Sequence, residues 1–236
     1  VSTVSSIVSL STSHFSSAEL ARLTGGGLPT DLVNIAYKFP PSAVSSAVEA
    51  LAKLANHPDS SSGSTQEKKL FNIAIQFYSY LLKTKDKTSN FSNAKKSVKD
   101  NVRRALSALG SICRFYEVHD GSDDHHLDPN GFSVVTDVKQ LQFAGNVLSN
   151  ACFALFREYL NKEDESTKCL ALRAMNGVFI SRPRVVLAAE QLGIITSVIS
   201  ESAPPSVQIE SLRCWRDILL AEEKRIESGA AKEKMS

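Results

Sequence analysis

The chain has 236 residues, 42% of them hydrophobic, and a formal net charge of +2. That is enough apolar material for a core in one large or two small domains, and a near-neutral balance that by itself names no partner. No long uncharged apolar run is present, so the sequence predicts no membrane span. The opening VSTVSSIVSL lacks the basic start of a signal peptide, and no small-residue cleavage site follows. The chain begins in mid-pattern without Met, and reads as a piece of a longer protein.

Apolar residues recur at three- and four-residue steps almost throughout, the signature of amphipathic helices. Residues 1–39 read as short helical pieces broken by Gly25-Gly26-Gly27 and Pro29. A helix over 42–56 starts after Pro40-Pro41 and stops before Pro58. Asp59 to Thr65 is a flexible Ser/Gly loop. The next helix, 66–83, is expected to bury Leu70, Ile73, Ala74, Phe77 and Leu81, and 84–96 is a basic polar connection. Helix 97–117 should bury Val102, Ala105, Leu106, Leu109, Ile112, Cys113 and Tyr116, with Gly110 at a close crossing. Loop 118–133 is acidic and carries histidines. Helix 137–161 should bury Leu141, Val147, Leu148, Ala151, Leu155 and Tyr159. Helix 165–181 is closed by Arg182-Pro183, two short helices follow at 185–192 and 193–201, and Pro204-Pro205 opens a long helix over 206–228. No stretch alternates apolar and polar residues, so no sheet is expected. Helices of this length joined in hairpins predict an all-α, HEAT-like solenoid of stacked antiparallel pairs. Residues 1–58 form N-terminal helices and 66–236 the repeats.

Chemistry-bearing motifs are scarce. Cys113, Cys152, Cys169 and Cys214 form no CxxC pair and lie on apolar helical faces. They read as buried, reduced, unligated thiols of a cytosolic or nuclear protein. The segment His119 to Gly131 offers metal ligands but fits neither a calcium loop nor a structural zinc spacing. Gly25-Gly26-Gly27 lacks the flanking elements of a phosphate loop and reads as a helix stop. Trp215 and Phe115 sit at core spacing. No catalytic constellation, cofactor motif or metal site is expected.

The charge distribution is more informative. Between Lys83 and Arg104 eight basic residues meet only Asp86 and Asp100, a local excess of +6. Lys95, Lys96, Lys99, Arg103 and Arg104 fall at near-helical spacing and point to neutralisation of DNA phosphates or of another acidic partner. Without interleaved aromatics or a base-reading element, such contacts would be with double-stranded DNA and neutral to sequence.

Three stretches stand out together: Leu109 to Glu117, Thr167 to Arg184 and Ser211 to Ile226. Gly110 to Glu117, then the acidic turn Glu163–Glu165 with Phe179, Ile180, Arg182 and Pro183, then Glu222 to Ile226, resemble in order the HEAT-repeat body of the cohesin loader, the Nipped-B family. The resemblance covers about residues 97–228, and loop 118–133 departs from it. It implies a hook-shaped, non-enzymatic, nuclear, chromatin-associated scaffold. Such a scaffold loads cohesin and stimulates its ATPase by contacting the kleisin, the SMC heads and DNA. The small loader partner subunit would bind outside this piece. The alternative is a generic helical-repeat adaptor, importin-like or coat-like.

Overall fold

The computed structural model describes residues 28–55, 63–85, 94–115, 152–161, 164–181, 189–199 and 203–233. Among them every regular element is an α-helix: α1 (Leu28–Lys38), α2 (Pro41–Ala55), α3 (Gly63–Lys85), α4 (Lys96–Phe115), α5 (152–160), α6 (Glu165–Ser181), α7 (Ala189–Val198) and α8 (Pro205–Glu233). No helix of the described residues is long and apolar enough to cross a membrane.

The helix starts follow from backbone chemistry. Pro41 and Pro205 occupy the first helical position, where proline's missing N–H removes nothing the helix needs. Asp164 caps α6: its carboxylate accepts from the Thr167 backbone N–H at 2.9 Å and from the Thr167 hydroxyl at 2.5 Å. Pro29 does not break a helix as the sequence suggests. It sits in the first turn of α1 and is buried there, a position proline tolerates.

Alternate helices form two rows. In one row α2, α4, α6 and α8 pack side by side and run parallel. Arg104 reaches the Phe39 carbonyl just ahead of α2, and six residues further along α2 Ser45 meets Ser111 of α4 at 2.7 Å. Arg103 reaches Asp164 at the start of α6. Arg173 reaches Glu210, and Asn176 reaches Asp217, across α6 and α8. These pairings set the starts of α6 and α8 level with each other, while α4 begins about two turns ahead of α6 and about three turns ahead of α2. The second row holds α1, α3, α5 and α7. Tyr37 of α1 stacks on Phe77 of α3 at 5.3 Å, and the buried Tyr159 hydroxyl of α5 donates to the Leu81 carbonyl of α3 at 2.9 Å. The rows meet through a continuous apolar core, for example Phe153 of α5 against Phe179 of α6 at 5.4 Å.

Leu70, Ile73, Ala74, Phe77 and Leu81 are buried, as are Val102, Ala105, Leu106, Leu109, Ile112, Cys113, Leu155 and Tyr159. Tyr116, Leu141, Val147, Leu148 and Ala151 lie outside the described residues, as does loop 118–133. Several boundaries differ from expectation. Helix α3 enters the expected loops at both ends. At its end Thr84 bonds back to the Tyr80 carbonyl and across to the Tyr159 hydroxyl, which keeps the last turn wound. Helix α7 runs through Gly193 as one element across the expected break between two short helices, and α8 extends to Glu233.

Helices α4 and α6 approach closely at their glycines. A Cβ built on Gly110 would stand 2.6 Å from the Ala174 Cα, and one on Gly177 would meet the Gly110 carbonyl oxygen. Small residues on both helices let the backbones touch, which is why glycine, costly within a helix, stands at these two positions.

Candidate functional site

Because the four helices of the first row are parallel, their N-termini face the same side of the molecule, with that of α4 foremost. Each carries the partial positive charge of a helix start. Lys95 and Lys96 stand exposed at the foremost point of this edge, and Lys99 is half-buried one turn on. The two arginines of the same cluster are turned to structural work. Arg103 holds both carboxylate oxygens of Asp164 at 3.1 Å and lies 3.7 Å from Asp100. Arg104 donates to the Phe39 carbonyl at 2.7 Å and to Asn101 at 2.7 Å. The structure thus divides the five: three lysines remain on the edge, and the two arginines tie α4 to α6 and to the α1–α2 link. Burial pushes the Asp164 carboxyl up, but the bonds from Thr167 and Arg103 outweigh it and hold it below the ordinary carboxylate range.

A second site lies on the outer face of the same row. A groove of about 690 Å³ runs across α2, α4, α6 and α8. Its wall toward the helix C-termini is rich in arginine. The buried Glu210 carboxylate takes Arg173 at 2.9 and 3.0 Å and Arg213 at 3.2 Å. Arg216 grips one oxygen of Asp217 at 2.9 and 2.6 Å, while the Asn176 amide donates to the other at 2.9 Å. Burial raises the Asp217 carboxyl, and the bonds from Arg216 and Asn176 more than reverse that, with Arg114 adding to the fall. Hydrogen bonding to Glu210 pushes Arg173 above its already high value, so it carries its charge at any working pH.

Sequence reasoning passed over this groove because its arginines are far apart along the chain. A signal was present. Arg114, Arg173, Arg213 and Arg216 each lie within four residues of a cysteine of the row, in the three stretches that stand out as a set. Cys113 and Cys214 take the core face and the arginines beside them the neighbouring face.

The cysteines themselves are free thiols. Cys113, Cys152 and Cys214 are buried, and burial, with Glu210 and Asp217 nearby, pushes Cys214 up to about 12. Cys169 departs from expectation: it is only half-buried, beside Ser206 at the groove floor. Trp215 packs partly buried against the core, as its spacing predicts. No cluster of metal-ligating side chains occurs among the described residues, and the His119–Gly131 segment lies outside them.

No family model, no curated protein and no solved structure matches this chain.

Proposed function

We propose that this chain is a helical scaffold of the HEAT-repeat kind, part of a cohesin loader that contacts the kleisin, the SMC heads and sequence-neutral duplex DNA. The observation that carries the reading is an arrangement. The three stretches that resemble the loader body are successive neighbours in one row, α4 against α6 against α8. In α4 and α8 a buried cysteine, Cys113 or Cys214, stands next to an arginine on the groove side, Arg114 or Arg213, and α6 carries Cys169 and Arg173 on that same side. Repeated units that each bury one face on the next have this form.

Helix α8 supports the same reading. Val207, Cys214 and Ile218 are buried, while Ile209, Leu212, Leu219, Leu220 and Ile226 are exposed along another face. A helix apolar on more than one face suits an open-ended stack better than a closed bundle. The lysine edge supplies the DNA contact, where helix starts and ammonium groups offer phosphates the same sign of charge.

Retention of purified kleisin and SMC heads on the immobilised chain at physiological salt is the deciding experiment. Retention of both is the expected result. Absence of both, with the chain folded by circular dichroism, would sink the loader assignment and leave a generic helical adaptor.

A further inference from the structure

The arginine wall of the groove is not used by the proposed DNA edge. The groove crosses four parallel helices spaced roughly 8–10 Å apart, so it is about 25–30 Å long. An extended peptide rises about 3.3 Å per residue, and about eight residues would span it. Five arginines line the groove against four acids, a sum of only +1.

The form of these arginines matters more than the sum. The carboxylates beneath them are sunk, Glu210 being 6% and Asp217 18% exposed, while the guanidinium-bearing chains of Arg173, Arg213 and Arg216 are 55%, 53% and 65% exposed. The buried Glu210 and the half-buried Asp217 therefore hold the arginines on one side, and the rest of each guanidinium-bearing chain is exposed along the groove. Arg173 and Arg216 each direct two N–H groups to these acids and Arg213 directs one, out of five per guanidinium. A guanidinium already fixed in place loses little freedom when a second carboxylate docks, and its fork matches that carboxylate in a bidentate pair. Beside them the buried Asn176 side-chain oxygen has no hydrogen-bond partner among the described residues. Between the arginines and the helix starts, Leu106, Ser107 and Leu170 give a mixed apolar and hydroxyl floor suited to a peptide backbone with small side chains.

We propose that this groove binds an extended acidic peptide segment of a partner protein, with its Asp or Glu carboxylates received by Arg173, Arg213 and Arg216. The arginines stand apart from the lysine edge. Arg173 is level with Gly110 of α4, eleven residues beyond Lys99, or about 16 Å at the helical rise.

The test is fluorescence anisotropy with a labelled decapeptide of alternating Glu and Ala, and a Lys/Ala decapeptide as control. Saturable, salt-weakened binding of the acidic peptide alone is expected. The pair Arg213→Gln with Arg216→Gln should weaken it at least tenfold. The pair Arg213→Lys with Arg216→Lys, which keeps both charges and loses both forks, should weaken it at least threefold. Should the glutamine pair lower the melting temperature, the lysine pair carries the test. No binding of the acidic peptide, or equal binding by parent and lysine pair, overturns the proposal. Reversal of Lys95, Lys96 and Lys99 to Glu should leave peptide binding within twofold, so that failure of the DNA edge and failure of the groove are read separately. If the arginine pair governs duplex affinity instead, the groove is part of the DNA surface and the peptide reading falls.

Discussion

At the level of single residues, Gly110 shows how much a missing methyl group can decide. In a helix, alanine is favoured over glycine by about 1 kcal/mol. Here the added Cβ would stand 2.6 Å from the Ala174 Cα and 2.9 Å from its Cβ. The obstruction is partly backbone, so α4 and α6 must separate. Overpacking of this kind costs ~1–3 kcal/mol, and the clash outweighs the propensity. Gly110→Ala should therefore lower stability, and Gly110→Leu should lower it further. Gly193 is the control: it is an exposed helical glycine with nothing within 4 Å of an added Cβ. Gly193→Ala should raise stability by about 0.5–1 kcal/mol. Urea unfolding of the three variants checks the signs. Equal behaviour of Gly110→Ala and Gly193→Ala would mean that α4 and α6 do not touch at Gly110.

At the level of the helix, Asp164 joins two functions in one carboxylate. It caps α6 through Thr167, and it receives Arg103 from α4 on both oxygens. Its pKa is depressed in the fold. The stability it contributes is thus fully present above the unfolded value, about 3.9, and is lost as pH falls through the lower folded value. Melting temperature should fall below about pH 4, and Asp164→Asn should flatten part of that acid limb. Asp217, depressed in the same direction, keeps the rest. At neutral pH Asp164→Ala should cost about 0.5–2 kcal/mol through the cap. A double-mutant cycle with Arg103→Gln should give non-additive losses. Strict additivity would show that the two side chains act separately.

The helix starts near Pro41 and Pro205 were readable because a proline pair marks a helix start locally. The buried sets of α3 and α4 were readable from periodicity for the same reason. The loss of Arg103 and Arg104 to structural bonds was not readable. It depends on Asp164 and Phe39, each some sixty residues away in the chain. The groove escaped notice on the same physical ground. A charge cluster in sequence is conspicuous, whereas one assembled from three helices becomes visible only when those helices are neighbours. Cys169 is a milder case, since its apolar flanks do not reveal that the α6–α8 crossing opens beside it.

At the level of the whole molecule, parallel packing of α2, α4, α6 and α8 brings four helix starts to one side, where the Asp164 carboxylate caps α6. The four helix starts facing that side contribute partial charge that no side-chain substitution removes. Lys95, Lys96 and Lys99 add three whole charges at its foremost point. If this edge meets duplex DNA, each lysine that neutralises a phosphate releases counterions. The slope of log affinity against log salt then shrinks by about 0.9 in magnitude for each lysine–phosphate pair removed. Reversing all three lysines to Glu should therefore reduce the slope by up to about 2.7 and weaken binding equally on unrelated sequences. In the loader setting it should also reduce DNA-dependent stimulation of cohesin's ATPase. Arg103 and Arg104 are excluded from the substitution because their removal would loosen α4 from its neighbours and confuse folding with binding. Lys95 and Lys96 are exposed, and exposed substitutions usually shift stability by less than about 0.5 kcal/mol; Lys99 is half-buried, so circular dichroism of the triple variant accompanies the binding measurement. A triple variant with the parent's affinity and salt slope would show that the lysines only keep the edge soluble, and would move any DNA contact elsewhere.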